Sequence, residues 1–515
     1  MDLLPAKATF GPGEPIVVEA RGVEGPVRLL QLDRVVDEAH VSDGLVVFPA
    51  PPEGGYGVDA EGASTALDVV ADPLTRPRYG FVSHYEADRV TDGVAEKVRR
   101  FHLNAVQFYD CMYRHAKLMP PTDDFDDALG QRISLATVRR LAAAVREAGS
   151  LPMAYAAVYA VGKESWEEWE ADGLFRGDGS PWMLGDFLWN VDPTSERWLA
   201  HFTADLRSTL EVGFAGFHLD QYGSPKWALR ADGSRVDLVE AFPALIDRVA
   251  ADVPEARLIF NNVNDFPTFA TVRADQALTY IEVWAPHTRL RHLAELVTNA
   301  RLLTPERPVI LAAYLSAYQG DEAAALQAEK LLLSTVFSHG GTVLLHGEES
   351  AVLTEAYYVT HREVALETHD VARRYFDLVV RYGDLLFAAV DVTRTHLGGE
   401  NEEVLIEASV PVATDAETGA LWGRVLRVPD GLLVSLIDLS AQTDDTWDAP
   451  KFPSAPLAGV RLSILRRGAV PGVAIASPGA PQLAALSPGR SERYDTVTLP
   501  AFDTWALVLI RDGAE

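Results

Sequence analysis

The sequence contains very little cysteine: Cys111 is the single one among 515 residues. No disulfide can therefore form within the chain, and a zinc site built from cysteine ligands is excluded. No segment approaches the ~20 consecutive apolar residues that a membrane-spanning helix needs. The N-terminus, MDLLPAKATFGPGEP, has no basic stretch followed by an apolar core. We therefore expect a cytoplasmic protein, although a secreted protein trimmed of its signal peptide would look the same.

Basic residues are scarce relative to acidic ones. Lys and Arg number 45, Asp and Glu number 74, and the formal net charge is −29. A chain this acidic repels the phosphates of nucleic acids and of anionic membranes, so we expect neither as a partner. A neutral partner such as a sugar is compatible with this charge. The length predicts two to four domains, and the sequence leaves the oligomeric state open.

The spacing of apolar residues divides the chain into three regions. Residues 1–74 contain short alternating runs broken by Gly and Pro, which predict an immunoglobulin-like β-sandwich. Residues 75–384 alternate short apolar runs with longer amphipathic stretches. Residues 385–515 return to short alternating runs and predict a C-terminal antiparallel β domain, arranged as a β-sandwich.

The central region repeats a strand-then-helix pattern eight times. The apolar runs are residues 79–85, 105–110, 151–160, 216–223, 258–264, 280–284, 309–315 and 342–348. This alternation predicts an α/β protein whose centre is a (β/α)8 TIM barrel. A doubly wound open sheet is the alternative, but no Gly-rich phosphate loop follows any of the runs.

Two carboxylates at strand ends form the candidate catalytic pair. The active site of such a barrel lies at the C-terminal ends of its strands. The fourth run leads to Asp220, and the sixth carries Glu282 two residues before Trp284, on the same face of the strand. Glycoside hydrolysis needs one carboxyl group that donates a proton and a second that attacks the sugar or activates water. The fourth and sixth strands are close enough for the ~5 Å separation of a retaining enzyme. As structural alternatives, Asp220 would cap the following loop and Glu282 would pair with a barrel arginine.

Polar and aromatic side chains at other strand ends are candidates for binding the substrate. Flat rings suit the apolar faces of a sugar, and carboxylates and amides suit its hydroxyl groups. The candidates are Asp110, His115, Tyr155, Asn261, Asn264, Trp284, His346 and Glu348. No HxH or HExxH spacing occurs, so we predict no metal site and rank a metal-dependent hydrolase last.

Several segments resemble glycoside hydrolase family 66, the dextranases and cycloisomaltooligosaccharide glucanotransferases. They are RPRYGF (76–81), HLNAVQFYD (102–110) with YRH (113–115), the approach to Asp220 from residue 213, FNNVN (260–264) and YIEVW (280–284). The sequence departs from the family pattern at Cys111, where Trp is usual, at His84 and Tyr85 on the first strand, and at Ala215.

The resemblance implies a role for four residues. Asp220 would be the nucleophile, Glu282 the general acid/base, and Asp110 and His115 would bind the sugar in the −1 subsite. It also implies endo-type cleavage of α-1,6-linked glucan, either dextran or isomaltooligosaccharides, with retention of configuration and no cofactor. The expected partner is an oligo- or polysaccharide substrate.

Other activities of the same barrel remain open at this stage. One is an α-glucan transglycosylase or cyclising enzyme, but no carbohydrate-binding insertion is visible inside the barrel, which favours hydrolysis. Others are a retaining glycosidase with a different α-glycoside substrate and a catalytically silent glycan-binding protein. The missing signal peptide favours short imported oligosaccharides over a polymer.

Overall fold

The computed structural model describes residues 1–393, 402–429, 431–491 and 493–512. Its centre is a barrel of parallel strands. They are β1 Tyr79–Val82, β2 Ala105–Phe108, β3 Leu151–Ala157, β4 Gly216–Asp220, β5 Arg257–Val263, β6 Leu278–Glu282, β7 Val309–Ala312 and β8 Gly341–Gly347. Consecutive strands pair in parallel, and β8 pairs with both β7 and β1. The predicted (β/α)8 barrel is confirmed, and the open-sheet alternative is wrong because the sheet closes on itself.

A helix follows each barrel strand. They are α1 Asp92–Arg100, α2 Leu135–Glu147, α3 Glu196–Leu210, α4 Leu238–Asp252, α5 Thr268–Thr271, α6 Leu290–Leu303, α7 Glu322–Ser338 and α8 Leu366–Arg381. Apolar residues recur every three or four positions along the long helices, and in α2 this places Leu135, Val138, Leu141 and Val145 in the core. The barrel strands are buried on both faces, which explains why they read as nearly continuous apolar runs.

Small β elements extend the C-terminal ends of the barrel strands. Hairpins or short sheets follow β2, β3, β4 and β8. They comprise Asp124–Asp126 with Arg132–Ser134; Ala160–Gly162, Met183–Leu184 and Leu188–Asn190; Trp227–Leu229 with Arg235–Asp237; and Ala351–Val352 with Arg362–Glu363. One-turn helices lie at Trp166–Trp169 and Gly383–Leu386. The hairpins and short sheets after β2, β3, β4 and β8 form the rim of the barrel mouth.

Two antiparallel sheets precede the barrel. One contains Asp2–Pro5, Ile16–Arg21 and Leu45–Phe48, and the other contains Pro26–Gln31, Arg34–His40, Gly54–Ala60 and Ala63–Val69. Their buried faces share a core that includes Val18, Val27, Phe48 and Tyr56. Arg78, immediately before β1, donates to both carboxylate oxygens of Asp68 at 2.8 and 3.0 Å in a fully buried ion pair. This pair joins the N-terminal sheets to the barrel.

Two mainly antiparallel sheets follow the barrel in the described part of the chain. The larger contains Val390–Asp391, Val412–Ala413, Leu421–Val428, Gly431–Asp438, Gly472–Ser477, Ala480–Leu486 and Trp505–Arg511. The smaller contains Val404–Glu407, Arg461–Leu465, Gly489–Arg490 and Tyr494–Thr498. Trp505 packs on the barrel against Phe337 of α7 and Tyr375 of α8, with ring centroids 6.5 and 6.2 Å away. The flanking β-sandwiches of the predicted fold class are thus confirmed, whereas the boundaries 1–74, 75–384 and 385–515 stay predictions.

No helix in the described ranges is long and apolar enough to cross a membrane.

Candidate active site

A cavity of about 910 Å³ opens at the C-terminal ends of the barrel strands. Both predicted catalytic residues, Asp220 and Glu282, line it. Six of the predicted binding residues line it as well: Asp110, His115, Tyr155, Asn261, Asn264 and Trp284. The structure therefore brings together side chains from five of the eight strands and their loops.

One amide contacts both members of the carboxylate pair. Asp220 ends β4 and Glu282 ends β6, and β5 lies between them in the barrel. Asn261 on β5 donates through Nδ2 to Oδ1 of Asp220 at 2.7 Å and to Oε2 of Glu282 at 3.0 Å. Because both oxygens accept from one nitrogen, they are at most about 6 Å apart, twice a hydrogen-bond length.

Two tyrosines donate to the remaining oxygens of the pair. The Tyr155 hydroxyl lies 2.6 Å from Oδ2 of Asp220, and the Tyr314 hydroxyl lies 2.8 Å from Oε1 of Glu282. Each of the four carboxyl oxygens therefore has a fixed donor. Among the described residues Glu282 forms no ion pair, so a structural salt bridge with a barrel arginine is not its role.

Burial governs the protonation of the carboxyl groups. It raises the pKa of Asp220 to about 7, helped by the charge of Glu282 and opposed by the donors Tyr155 and Asn261. Burial also raises the pKa of Glu282, whereas the hydrogen bonds from Asn261 and Tyr314 act to lower it. Two buried carboxylates this close cannot both ionise easily, so the pair retains a proton near neutral pH.

A third carboxyl group lies in the same cavity. Burial raises the pKa of Asp110 to about 8, with further contributions from the charges of Asp127 and Asp220. Asp110 adopts a left-handed backbone conformation with a φ of 43°, which a non-glycine residue adopts at an energetic cost. The nearby His115 is neutral at physiological pH because burial and then the charge of Arg114 lower its pKa to about 4.

Several buried polar atoms at the cavity have no hydrogen-bond partner among the described residues. They are Oε1 of Gln107, Nδ1 of His115, the hydroxyl of Tyr222 and Oδ1 of Asn261. An unpaired buried polar group costs about 1–3 kcal/mol, so such atoms are normally satisfied by water or ligand. Their concentration at this cavity suits a ligand that carries many hydroxyl groups.

Asn264 and Trp284 lie together at the rim. The Asn264 amide donates to the carbonyl of Ala285 at 2.8 Å and accepts from the backbone N–H of Trp284 at 3.4 Å. The Trp284 ring is 42% exposed although it borders the cavity. Asn264 therefore holds the loop that presents this aromatic surface.

Two of the predicted binding residues lie outside the cavity. His346 points outward from β8 towards the helices: its Nε2 lies 2.5 Å from Oε1 of Glu329 on α7, and its ring packs against Phe101 and Phe376. Residues alternate between the two faces of a strand, so this position faces away from the barrel interior. Neither His346 nor Glu348 lines the cavity, and their part in substrate binding stays a prediction.

Glu348 instead anchors the start of the β1 loop. Its carboxylate accepts from the backbone N–H groups of Ser83 and His84 at 2.5 and 3.0 Å and pairs with Arg89. These partners use its charge to hold protein backbone, away from the substrate.

Sequence reasoning missed several residues that line the cavity. Tyr314 lies two positions beyond β7, and the strand-end rule that selected Asp220 could have found it. Tyr222 similarly follows β4. Phe187 lies in the tight turn between two short strands after β3, and Tyr358 begins a one-turn 3-10 helix after β8, so no periodic pattern marks either residue.

No group of three or more His, Cys, Asp or Glu side chains within the described ranges is arranged to hold a metal ion.

Two curated proteins are relatives of this chain. Two cycloisomaltooligosaccharide glucanotransferases from Niallia circulans are similar to it. One is 25% identical over 355 residues, covering 62% of this chain and 36% of the relative. The other is 24% identical over 304 residues, covering 51% and 31%. The chain thus spans about a third of the length of the curated relatives it matches.

Solved structures share the fold along nearly the whole chain. A Paenibacillus cycloisomaltooligosaccharide glucanotransferase complexed with cycloisomaltoheptaose superposes with a TM-score of 0.87 at 19% identity, covering 98% of this chain and 99% of that one. A maltogenic α-amylase from Thermotoga neapolitana gives a TM-score of 0.53 at 9% identity, covering 85% and 100%. At these identities the likeness concerns the fold alone. The family model of glycosyl hydrolase family 66 matches residues 47–509, and the chain belongs to this family.

Proposed function

We propose that this protein is a retaining, endo-type glycoside hydrolase that cleaves α-1,6-linked glucan, either dextran or isomaltooligosaccharides. Asp220 is the nucleophile and Glu282 the general acid/base of a double displacement. The observation that carries the proposal is the Asn261 amide nitrogen, which donates to both carboxyl groups. The substrate class follows from family membership and from the names of the relatives, which refer to isomaltooligosaccharides.

The spacing of the two carboxyl groups supports retention. Retaining glycosidases hold them about 5–5.5 Å apart, whereas inverting enzymes need about 6.5–9.5 Å to admit a water molecule. The nearest oxygens of Asp220 and Glu282 accept from one nitrogen, which limits their separation to about 6 Å. That leaves room for direct attack by Asp220 and little room for an intervening water.

The reaction would proceed in two steps. Glu282 gives its proton to the glycosidic oxygen while an Asp220 oxygen bonds to the anomeric carbon, and the bond to the leaving sugar breaks. Glu282, now ionised, takes a proton from water, whose oxygen attacks the same carbon and releases Asp220. The mutual repulsion that keeps one proton on the pair supplies the required starting state, with one carboxyl group charged and the other neutral.

Transglycosylation is the second candidate activity. The same glycosyl-enzyme would react with a sugar hydroxyl in place of water, and the relatives are glucanotransferases by name. The aromatic surfaces of Trp284 and Phe187, 42% and 40% exposed beside the cavity, could hold an acceptor sugar. A silent glycan-binding protein would have no need for a buried carboxylate pair with every oxygen supplied with a donor.

The linkage and the activity can be tested with one substrate panel. Gluco-oligosaccharides with α-1,6, α-1,4, α-1,3 and α-1,2 linkages, together with dextran, are incubated with the enzyme, and NMR follows the anomer released first. We expect turnover of the α-1,6 compounds with the α-anomer formed first. Products longer than the substrate, or cyclic ones, would indicate the transferase. Initial release of the β-anomer would contradict the retaining mechanism.

The roles of the two residues can be separated with a substrate that needs no acid. We expect Asp220→Asn and Glu282→Gln each to lower kcat/KM on isomaltooligosaccharides by at least ~10³-fold. An α-isomaltosyl fluoride has a leaving group that departs without protonation, so it should restore the first step to Glu282→Gln and not to Asp220→Asn. Restoration of Asp220→Asn instead would reverse the assignment, and near-normal activity of either variant on the natural linkage would refute the pair.

A further inference from the structure

A row of tyrosine hydroxyls begins at Glu282 on the side away from Asp220. The Tyr314 hydroxyl lies 2.8 Å from Oε1 of Glu282 and 3.2 Å from the hydroxyl of Tyr358, and in this second contact either oxygen can be the donor. Tyr280, two residues before Glu282 on β6, lies beside Tyr358. The three tyrosines are almost completely buried. From Glu282, the hydroxyls of Tyr314 and Tyr358 form a continuous line of groups that can both donate and accept.

The two tyrosines nearest Glu282 are held in place by ring contacts. Tyr109 stacks on Tyr358 with ring centroids 4.2 Å apart and an interplanar angle of 21°. Trp284 packs against Tyr314 with centroids 5.7 Å apart. The rings therefore stay fixed while each hydroxyl hydrogen remains free to rotate.

A general acid/base needs partners for two protonation states. When ionised, its carboxylate only accepts hydrogen bonds, and when protonated it also donates one. The Asn261 amide is a donor, so it suits Oε2 only while that oxygen carries no hydrogen. The proton of neutral Glu282 is therefore favoured on Oε1, where Tyr314 can turn a lone pair towards it.

We propose that Tyr314 and Tyr358 form a reversible hydrogen-bond chain that supports Glu282 in both of its protonation states. The inference rests on the proposed role of Glu282 as general acid/base. With Glu282 ionised, Tyr358 donates to Tyr314, which donates to Oε1. With Glu282 protonated, Oε1 donates to Tyr314, which donates to Tyr358. Both tyrosines are positioning residues, and no proton leaves the chain because each hydroxyl only rotates.

The chain also assists the transfer of the proton. The glycosidic oxygen takes the hydrogen from Oε1 of Glu282. The Tyr314 hydroxyl then rotates so that its own hydrogen points to Oε1. The fixed Tyr314 ring thus supplies a donor to the negative charge that develops on Oε1, and no water has to enter the buried site for this.

Other groups around Glu282 contribute in a known direction. Asp220 on β4 opposes its ionisation, whereas Asp110, two residues after β2, is mostly neutral near pH 7 because burial raises its pKa to about 8. His218 on β4, whose ring lies 4.7 Å from Tyr280, is neutral because burial lowers its pKa to about 3. Asn261 and Tyr314 donate to Glu282. Of these partners, only the tyrosine hydroxyls can change from hydrogen-bond donor to acceptor.

Two substitutions should move the pH dependence in opposite directions. Tyr314→Phe removes a donor from the ionised carboxylate, so the pKa of Glu282 and the alkaline limb of kcat/KM should rise by about one pH unit. When Glu282 is protonated, Tyr314 accepts its hydrogen and must donate its own hydrogen to Tyr358. Tyr358→Phe removes that acceptor. The protonated form is then disfavoured, and the alkaline limb should fall by about one pH unit.

The control is Tyr382→Phe, which removes one buried hydroxyl far from the cavity, where it donates to the carbonyl of Pro481 at 2.6 Å. Its pH profile should match that of the wild type. The hydrogen-bond chain would be overturned if the alkaline limbs of both test variants moved in the same direction, or if neither moved. Circular dichroism checks that each variant is folded.

Failure of the proposed function gives a different result. If the wild type turns over no glucan in the panel, the proposed activity fails, and the chain is then tested without turnover. The readout is the pH-dependent tryptophan fluorescence component that Glu282→Gln removes, since Trp284 packs against Tyr314 and lines the same cavity as Glu282. The two tyrosine variants should still shift its midpoint in opposite directions, and a common direction or an unchanged midpoint would overturn the chain.

Discussion

Asn261 donates its side-chain amide hydrogen to Asp220, with 2.7 Å between Nδ2 and Oδ1. The orientation of the amide is determined by its neighbours, because the same nitrogen also lies 3.0 Å from Oε2 of Glu282 and carboxylates accept hydrogen bonds. The opposite atom, Oδ1 of Asn261, is buried and has no partner in the described part of the chain. One side chain thus sets the spacing of the two carboxyl groups and leaves one buried acceptor oxygen unpaired.

Replacing Asn261 should therefore damage both steps of the reaction. We expect Asn261→Ala to lower kcat/KM by about 10²-fold, since two charge-assisted hydrogen bonds worth about 1.5–3 kcal/mol each are lost and only partly replaced by water. Asn261→Asp should be worse, because it places a third negative charge between the other two. Steady-state kinetics on an isomaltooligosaccharide would measure both effects.

The neighbouring Asn262 provides a control for this substitution. Its amide faces away from the cavity and donates to the carbonyl of Tyr280 at 2.9 Å. Asn262→Ala should lower the melting temperature and leave kcat/KM within a few-fold of the wild type at temperatures where the variant is folded. If Asn261→Ala instead behaved like Asn262→Ala, Asn261 would have only a structural role.

Asp220 should destabilise the folded protein in a defined pH range. Its folded pKa of about 7 lies above the ordinary value of 3.8, so between these pH values the folded state holds a proton that the unfolded state has lost. Stability therefore falls as the pH rises from about 4 to 7. Asp220→Asn removes this dependence. The gain in unfolding free energy should be near zero at pH 4 and reach about 4 kcal/mol at pH 8.

Urea unfolding of Asp220→Asn and wild type at pH 4, 6 and 8 would measure this effect. Asp124→Asn serves as the control, because Asp124 lies exposed on the first rim hairpin and its replacement should change the curves little. A gain that is equally large at pH 4 would show that the charge of Asp220 is not its source.

The pattern of the sequence predicted the barrel because each barrel strand is buried on both faces and therefore reads as an apolar run. The same property located Asp220 and Glu282, since a carboxylate at the end of such a run stands out. The end-of-strand rule also selects His346, which lies on the face of β8 turned towards α7. Every residue of β8 is buried, so the sequence shows no alternation from which the face of His346 could be read.

Tyr358 illustrates a second limit of sequence reasoning. It lies outside every periodic segment, in the loop after β8, and yet its hydroxyl reaches Tyr314 beside Glu282. Only the closure of the barrel, which pairs β8 with β1, brings this loop over the cavity. Contacts of this kind arise from the three-dimensional path of a loop, which local propensities do not encode.

The contacts of Glu348 predict a stability defect and no change in substrate binding. Glu348→Gln keeps the shape of the side chain and removes the charge that pairs with Arg89 and holds the backbone of Ser83 and His84. We expect unfolding free energy to fall by about 2–3 kcal/mol, with KM unchanged. The adjacent, exposed Glu349→Gln is the matched control. A several-fold rise in KM with normal stability would instead support Glu348 as a binding residue.

The N-terminal sheets should depend on a glycine for their contact with the barrel. A Cβ atom on Gly57 would overlap the guanidinium group of Arg381 at the end of α8. That group forms a bidentate, buried ion pair with Asp59, with distances of 2.9 and 2.6 Å. Gly57→Ala should push Arg381 out of this geometry and leave buried charges poorly paired. The expected loss of unfolding free energy is about 2–4 kcal/mol.

Thermal unfolding of Gly57→Ala and of Gly177→Ala would test this contact. Gly177 is a suitable control because a Cβ atom there meets open space and its φ is not positive, so its melting temperature should stay close to that of the wild type. Gly57, Asp59 and Arg381 do not line the cavity. The kcat/KM of Gly57→Ala at 25 °C should therefore be normal. An unchanged melting temperature would mean that Arg381 can move aside without cost, and that the Asp59 pair contributes little to joining the sheets to the barrel.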